Sequence, residues 1–251
     1  MSEWTWDPDH FAALWLNEGR DRFPRPLHFT SRFRYREEFD AYGREIRSQY
    51  SGEESSAIEL TLNTLAMAEI RVEVIAETGR SGSHTHRIVG ARDLHHAVIA
   101  AQTVVEGVDG PIWVRRGRPE NLGKGIASRI PRCAPGGGRP EEFFTRDLDT
   151  NCEKYFTDVA HNAPIERYRR LINCPRDGSG SAAIRVGDFQ ARNEPRRYFE
   201  WLDTADDGRY LLRRTPDRIV VEPGDDVKIS SILTHWIQIE LDELRESVRN
   251  W

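Results

Sequence analysis

The spacing of apolar and polar positions divides the chain into helical segments followed by strand segments. Near the N-terminus, apolar residues at helical spacing predict a helix that begins after Asp7, a good N-cap followed by Pro8. Gly19 is the predicted stop of this helix. Helical spacing returns over about 36–50 and 53–66. The first part of the chain is therefore predicted to be helical.

Strand periodicity begins at Ile70, where Val72 and Val74 alternate with charged residues as in a half-buried strand. Further strands are predicted at about 87–94, 97–105 and 112–115. Connections this short favour an antiparallel meander. A partial alternation from Leu27 to Phe33 also allows an edge strand there.

The second half of the chain repeats the same order. Pro119 to Ile130 is predicted to be helical, and helical spacing returns from Phe144 to Ile172. The segment Pro175 to Gly180 is predicted to form a turn. A long amphipathic helix is predicted at about 227–248. Between the turn and this helix, four strands are predicted at about 183–189, 198–203, 209–213 and 218–221, with a hairpin turn at Asp206-Asp207-Gly208.

This order predicts a mixed α+β fold, in which helices pack on a central antiparallel β-sheet. Residues 131–141 are rich in glycine and proline and are the best candidate for an internal linker. The linker would separate an N-terminal half, residues 1–130, from a C-terminal half, residues 142–251. We expect the two halves to form one compact structural domain.

The composition is that of a folded globular protein: 38% of the 251 residues are hydrophobic, and the formal net charge is −5. No uninterrupted apolar stretch approaches the ~18 residues of a membrane span, so no membrane insertion is expected. The acidic N-terminus has neither the positive flank nor the apolar run of a signal peptide. A cytoplasmic location is therefore expected.

Candidate catalytic and metal-binding residues are few. The clustered histidines are His84, His86, His95 and His96, and no third metal ligand has a diagnostic spacing. The three cysteines are far apart in sequence, which disfavours a disulfide framework or a zinc site. No nucleophile elbow or phosphate-binding glycine loop is present. We therefore predict no catalytic residues, no metal and no cofactor.

Two alternatives from other functional classes stay open. A small-molecule enzyme would need a pocket of convergent polar groups, for which His84, His86, Asp93 and His95 are the available residues. A nucleic-acid-binding module would need one face dominated by arginine, and arginine-rich segments occur at Arg115–Arg118 and elsewhere. The balance of basic and acidic residues favours solvated faces and ion pairs, so no nucleic-acid partner is predicted.

Several segments, in a characteristic order, resemble the actinobacterial EspG family. The best match is Phe199–Leu211, which carries a tryptophan, an aspartate and then Asp-Gly-Arg-Tyr in a predicted hairpin. The other segments similar to the family are Trp4–Trp15, Gly19–Leu27, Glu69–Ile75, Pro175–Gly180 and Asp217–Pro223. The resemblance covers roughly residues 4–235, except about 132–160.

The resemblance implies a central antiparallel sheet, two pseudo-two-fold halves and two helical bundles. It also implies a non-enzymatic chaperone of type VII (ESX) secretion. Such a chaperone binds the exposed tip of a PE/PPE-like substrate protein and keeps it soluble before export. The resemblance implies no cofactor and no catalytic residues. We expect the unbound protein to be a monomer or a weak homodimer.

Two elements are candidates for the partner-binding surface. One is the loop between the first two strands of the meander, with candidate residues Arg80, Ser81, Ser83, His84 and Thr85. The other is the apolar face of the C-terminal helix, with candidate residues Ile232, Trp236, Ile237 and Leu241. Each has a structural alternative, namely that the loop is a plain surface turn and that the helix face packs on the sheet.

Overall fold

The computed structural model describes residues 2–79, 83–148, 164–190 and 194–249. Within these ranges, ten strands form a single antiparallel sheet. The strands are β1 (Glu3–Trp6), β2 (Ile70–Thr78), β3 (His84–Arg92), β4 (Ala97–Val105), β5 (Val108–Gly117), β6 (Glu141–Phe144), β7 (Arg176–Val186), β8 (Arg197–Thr204), β9 (Gly208–Arg214) and β10 (Arg218–Pro223). The α-helices are α1 (Pro8–Trp15), α2 (Arg36–Gln49), α3 (Gly52–Ala66), α4 (Leu122–Ala127), α5 (Pro164–Asn173) and α6 (Asp226–Arg249).

The strand order has the symmetry that the repeated element order suggests. It runs β1-β5-β4-β3-β2-β7-β8-β9-β10-β6. Each half contributes a four-stranded meander, and a short strand that precedes the meander pairs with its last strand. The first strands of the two meanders, β2 and β7, pair at the centre. This order confirms the predicted α+β fold with a central antiparallel sheet and pseudo-two-fold halves.

The two faces of the sheet are covered differently. On one face, called face A, α4 and α6 pack over the centre of the sheet and form a core with β2, β4, β7 and β8. On the opposite face, called face B, α1, α2 and α3 pack over β3, β4 and β5. Also on face B, α5 packs over β8, β9 and β10. The described helices thus cover face B at its two ends, on either side of β2 and β7.

Two short edge strands were not predicted. Both β1 and β6 contain only four residues, and each pairs with the edge of its meander. The predicted edge strand from Leu27 to Phe33 is absent from the described sheet. Phe144, predicted to begin a helix, ends β6 and is followed by a 3-10 turn at Thr145–Leu148. The predicted helical residues from 149 to 163 lie outside the described ranges.

Several helix boundaries also differ from prediction. As predicted, α1 begins after Asp7, whose side chain accepts a hydrogen bond from the His10 backbone N–H at 2.9 Å. It ends at Trp15 rather than Gly19, because Leu16 is extended. The predicted helix over 119–130 is a 3-10 turn at Pro119–Asn121 followed by the short α4.

The segment predicted as a linker is bound along the hairpin of β8 and β9. The Arg209 backbone N–H donates to the Ala134 carbonyl at 2.7 Å, and the Gly136 N–H donates to the Arg209 carbonyl at 3.0 Å. The Gly138 N–H donates to the Tyr210 hydroxyl at 2.9 Å. The segment therefore adds hydrogen bonds to the C-terminal half, while one sheet continues through both halves. The division into two halves at this segment stays a prediction.

Replacing Gly136 by alanine tests whether this segment is docked in solution. A Cβ atom at Gly136 would lie 2.2 Å from the ring of Tyr210, so the side chain or the segment must move. We expect the free energy of unfolding to fall by about 2 kcal/mol in urea denaturation. The control is Gly137→Ala, because the nearest atom to its Cβ would be in the exposed Asp207 carboxylate, at 3.2 Å. Equal stability of the two variants would show that the segment is a flexible linker.

Candidate functional site

The loop between β2 and β3 is fixed at its base by β7 and by the turn between β4 and β5. The Gly79 N–H donates to the Asp177 carbonyl at 2.8 Å, and the Ser83 carbonyl accepts from the Glu106 N–H at 3.0 Å. His84 is exposed, whereas Ser83 and Thr85 are half-buried. Arg80 and Ser81 lie outside the described residues. The base of the loop is therefore positioned by the sheet.

The histidines do not form a common site in the described part of the chain. The His86 ring lies between two threonine hydroxyls, 3.2 Å from Thr78 Oγ1 and 3.3 Å from Thr103 Oγ1. Burial, and then the nearby His84, lower the pKa of His86 and favour its neutral form. The described ranges contain no group of three or more His, Cys, Asp or Glu side chains placed to hold a metal ion.

His95 and His96 lie at the opposite end of β3, in the turn that leads to β4. Their backbone N–H groups donate to Asp93 Oδ1 at 2.8 and 2.6 Å. Burial alone would raise the pKa of Asp93, but these bonds and one from the Thr64 hydroxyl together lower it. Asp93 therefore acts here as a turn-forming carboxylate. The residues considered for an enzyme site lie at two ends of a nine-residue strand and do not converge.

The apolar face of α6 is covered by the sheet. Ile232, Ile237 and Leu241 are only 4–7% exposed and belong to the core on face A. Trp236 is half-buried, and its ring packs edge-on against Phe199 with the ring centroids 5.5 Å apart. We therefore correct the assignment of Ile232, Ile237 and Leu241 as partner contacts, because the chain itself occupies their surface.

The part of face B between the two groups of helices carries exposed apolar side chains. Ile75 is 44% exposed and Tyr198 is 40% exposed. They contribute to a hollow of about 370 Å³ whose walls include Ile172 of α5 and Arg214 of β9. We call this region the central strip and define it by Ile75, Glu77, Ser181, Tyr198 and Glu200. It leads along β2 directly to the loop at Gly79.

Charged groups form the rim of the central strip. The Tyr198 hydroxyl donates to Glu200 Oε1 at 3.1 Å, and Arg214 Nε lies 3.3 Å from Glu200 Oε2. Burial, and then Glu200, raise the pKa of Tyr198, so its hydroxyl keeps its proton at neutral pH. Further along face B, Glu73 lies 3.0 Å from each of Arg71 and Arg185. The strip is thus an apolar patch surrounded by charged side chains, most of which form ion pairs with a neighbouring side chain.

The sequence contains a signal for the central strip that the analysis of periodicity missed. Along β2, the residues facing face A from Ile70 to Ala76 are all apolar, whereas those facing face B are charged except for Ile75. In β8, Tyr198 likewise points to face B, whereas its neighbours Phe199 and Trp201 point to the core on face A. An apolar residue in the polar register of a central strand is the feature that points to this surface.

The hairpin with the strongest motif forms the centre of the C-terminal half. Asp203 and Arg209 form a buried ion pair, and the Trp201 ring lies beneath the guanidinium at 5.4 Å. The chain matches the EspG family model over residues 7–235. It belongs to the EspG family. EspG proteins are chaperones associated with type VII (ESX) secretion. The match includes both meanders, β6 and the first ten residues of α6, so the EspG assignment applies to every described strand of the sheet except β1.

None of the curated proteins compared with this EspG chain is a match. In the described ranges, no helix combines the length and the apolar character that a membrane span requires.

Proposed function

We propose that this EspG protein is a cytoplasmic chaperone that binds the tip of a PE/PPE-like secretion substrate and keeps it soluble until export. The observation that carries the proposal is the central strip, an exposed apolar patch continuous with the loop at Gly79. The proposed contacts are the strip and the loop residues Arg80, Ser81, Ser83, His84 and Thr85. Family membership supports a secretion partner, and the strip supports an apolar contact with it.

The chemistry of the strip suits the helical tip of another protein. An export substrate with an exposed apolar tip would self-associate unless another surface covers it. Ile75 and Tyr198 offer an aliphatic and an aromatic contact at the bottom of a hollow between two groups of helices. Glu77, Glu200 and Arg214 surround them and can select the partner by charge. This arrangement of apolar anchors within a polar rim is typical of helix-in-groove recognition.

No specific observation favours the two alternative classes over a chaperone. The clustered histidines His84, His86, His95 and His96 are divided between the two ends of β3. Glu200 is engaged by Tyr198 and Arg214. Several arginines on face B are paired with carboxylates, as in Arg185–Glu73 and Arg214–Glu200. This neutralisation leaves face B without the dominant positive charge that nucleic-acid binding requires.

The direct test is co-expression with a candidate PE/PPE-like pair, followed by affinity purification and size-exclusion chromatography. We expect a stable complex of the chaperone with the pair, and a monomer or weak dimer when it is expressed alone. We expect Ile75→Asp to weaken the complex about tenfold or more, because a carboxylate would have to be desolvated against the apolar tip. Titration by isothermal calorimetry measures the loss.

The matched control is Leu94→Asp, which also places a carboxylate at an exposed apolar residue. Leu94 is 62% exposed and lies in the turn between β3 and β4, at the far end of the sheet. We expect this variant to bind like the wild type. Equal weakening by both variants would contradict the site, and a complete lack of complex with every tested pair would contradict the proposed function.

A further inference from the structure

A second concave surface lies on face A, between α4 and the strands β4 and β5. We call it the α4 groove; its floor is Ile99, Trp113 and Leu122, and its volume is about 300 Å³. Helix α4 approaches the sheet closely, since a Cβ atom at Gly125 would lie 2.4 Å from Ile99 Cδ1. The floor is therefore formed by fixed elements rather than by a loop.

The rim of the α4 groove is basic. Its charged lining residues are Arg115, Arg118, Lys124 and Arg129, and no carboxylate is among the groove's lining residues. Arg118, Lys124 and Arg129 form no ion pair with any carboxylate in the described ranges. This concentration of positive charge occurs in a chain whose formal net charge is −5. Such a surface attracts an acidic partner.

One carboxylate at the edge of the groove shows which chemistry it accepts. Glu3, on β1, accepts a hydrogen bond from Trp113 Nε1 at 2.9 Å and lies 3.9 Å from Arg115 Nε. The Arg129 guanidinium lies over the Trp113 ring, 3.3 Å from its centroid. Burial, the larger cause, lowers the pKa of Arg129, whereas Glu3 raises it. The indole and its neighbouring guanidinium groups thus already form a carboxylate contact beside an apolar floor.

We propose that the α4 groove binds an acidic segment of a partner polypeptide. Carboxylates of the segment would pair with Arg118, Lys124 and Arg129, and one apolar side chain would lie on Ile99 and Trp113. The groove is too small for more than a short stretch of chain, which favours an extended peptide over a nucleic-acid duplex or a membrane surface. Since it lies on the opposite face from the central strip, this inference does not rest on the proposed function.

The probe for the test is a short fluorescein-labelled peptide with aspartates on both sides of a central phenylalanine. Fluorescence anisotropy with the full chain at low salt should show binding that weakens as salt is added. We expect Lys124→Glu and Arg129→Gln each to weaken binding about tenfold, because each removes a cation beside the apolar floor. The control is Arg44→Glu, at an exposed position of α2 on face B, which should bind like the wild type.

Three outcomes would overturn the proposal. The first is equal binding of a peptide in which asparagine replaces every aspartate. The second is unchanged binding by Lys124→Glu and Arg129→Gln when urea unfolding shows that both variants are folded. The third is tighter binding of a single-stranded oligonucleotide, lost in the same two variants, which would make the groove a nucleic-acid site. Ile75→Asp should leave peptide binding unchanged. A failure of the acidic-peptide proposal can therefore be distinguished from a failure of the chaperone proposal.

Discussion

Replacing Asp203 by alanine is expected to lower the free energy of unfolding by about 3–5 kcal/mol. Asp203 Oδ1 and Oδ2 accept hydrogen bonds from Arg209 Nε and Nη2 at 2.6 and 2.8 Å. The Arg209 side chain is 0% exposed and the Asp203 side chain 8% exposed. Without the carboxylate, the guanidinium is left buried with no counter-charge, which costs more than the loss of a surface pair. Urea denaturation, monitored by circular dichroism, measures the difference.

Replacing Asp203 would also affect residues outside the hairpin of β8 and β9. Arg209 Nη2 also donates to the Pro131 carbonyl at 2.8 Å, so the pair orients the guanidinium toward the segment after α4. The Arg209 backbone holds the same segment through Ala134 and Gly136. We therefore expect Asp203→Ala to increase proteolytic cleavage in this segment as well as to destabilise the fold.

The control for this prediction is Asp206→Ala in the turn of the same hairpin. Asp206 is exposed, and its replacement should change stability by no more than about 0.5 kcal/mol. The double variant Asp203→Leu with Arg209→Met should be more stable than Asp203→Ala, because it removes both buried charges together. If Asp203→Ala and Asp206→Ala are equally stable, the ion pair contributes nothing and the prediction is wrong.

The elements that the sequence predicted well are those with one largely buried apolar face. The alternation in β2 and the apolar stripes of α2 and α6 repeat often enough to identify the element and the buried side. The four-residue edge strands β1 and β6 contain too few positions for a period, and what defines them is their pairing with β5 and β10. A pairing between strands that are far apart in the chain produces no recognisable pattern in the local sequence of either strand.

The candidate binding surface was predicted only in part. The apolar stripe of α6 is a strong feature of the sequence, but face A of the sheet also needs a cover, and the two surfaces bury each other. The loop at Gly79 could be placed because it connects two clear strands. The central strip was missed because, although Ile75 in the polar register of β2 marks the surface, its exposure depends on which strands the helices on face B cover.

The segment from Pro175 to Gly180 was predicted as a turn, but its residues from Arg176 onward form the first part of β7. Glycine is required here because a larger side chain would collide with a neighbouring strand, not because the backbone turns. A Cβ atom at Gly180 would lie 2.2 Å from Cζ2 of Trp201, which is 1% exposed and lies on the neighbouring strand β8. The reason for the glycine is thus a side chain on another strand, which local sequence patterns do not reveal.

Replacing Gly180 by valine is therefore expected to lower the free energy of unfolding by about 3 kcal/mol or more. Valine favours strands, so local propensity alone would predict stabilisation. The steric conflict with Trp201 outweighs this preference, because the indole is enclosed by the core on face A and has no room to move. Urea denaturation gives the stability, and near-UV circular dichroism reports the displaced tryptophan.

A matched substitution on the same strand separates packing from strand propensity. Ser179 neighbours Gly180 but points to face B, where it is half-buried beside the hollow. We expect Ser179→Val to change stability by no more than about 0.5 kcal/mol. Introducing Gly180→Val into a Trp201→Leu background should cost less than in the wild type, since the smaller side chain relieves the conflict. An equal cost in both backgrounds would mean that something other than Trp201 requires glycine at this position.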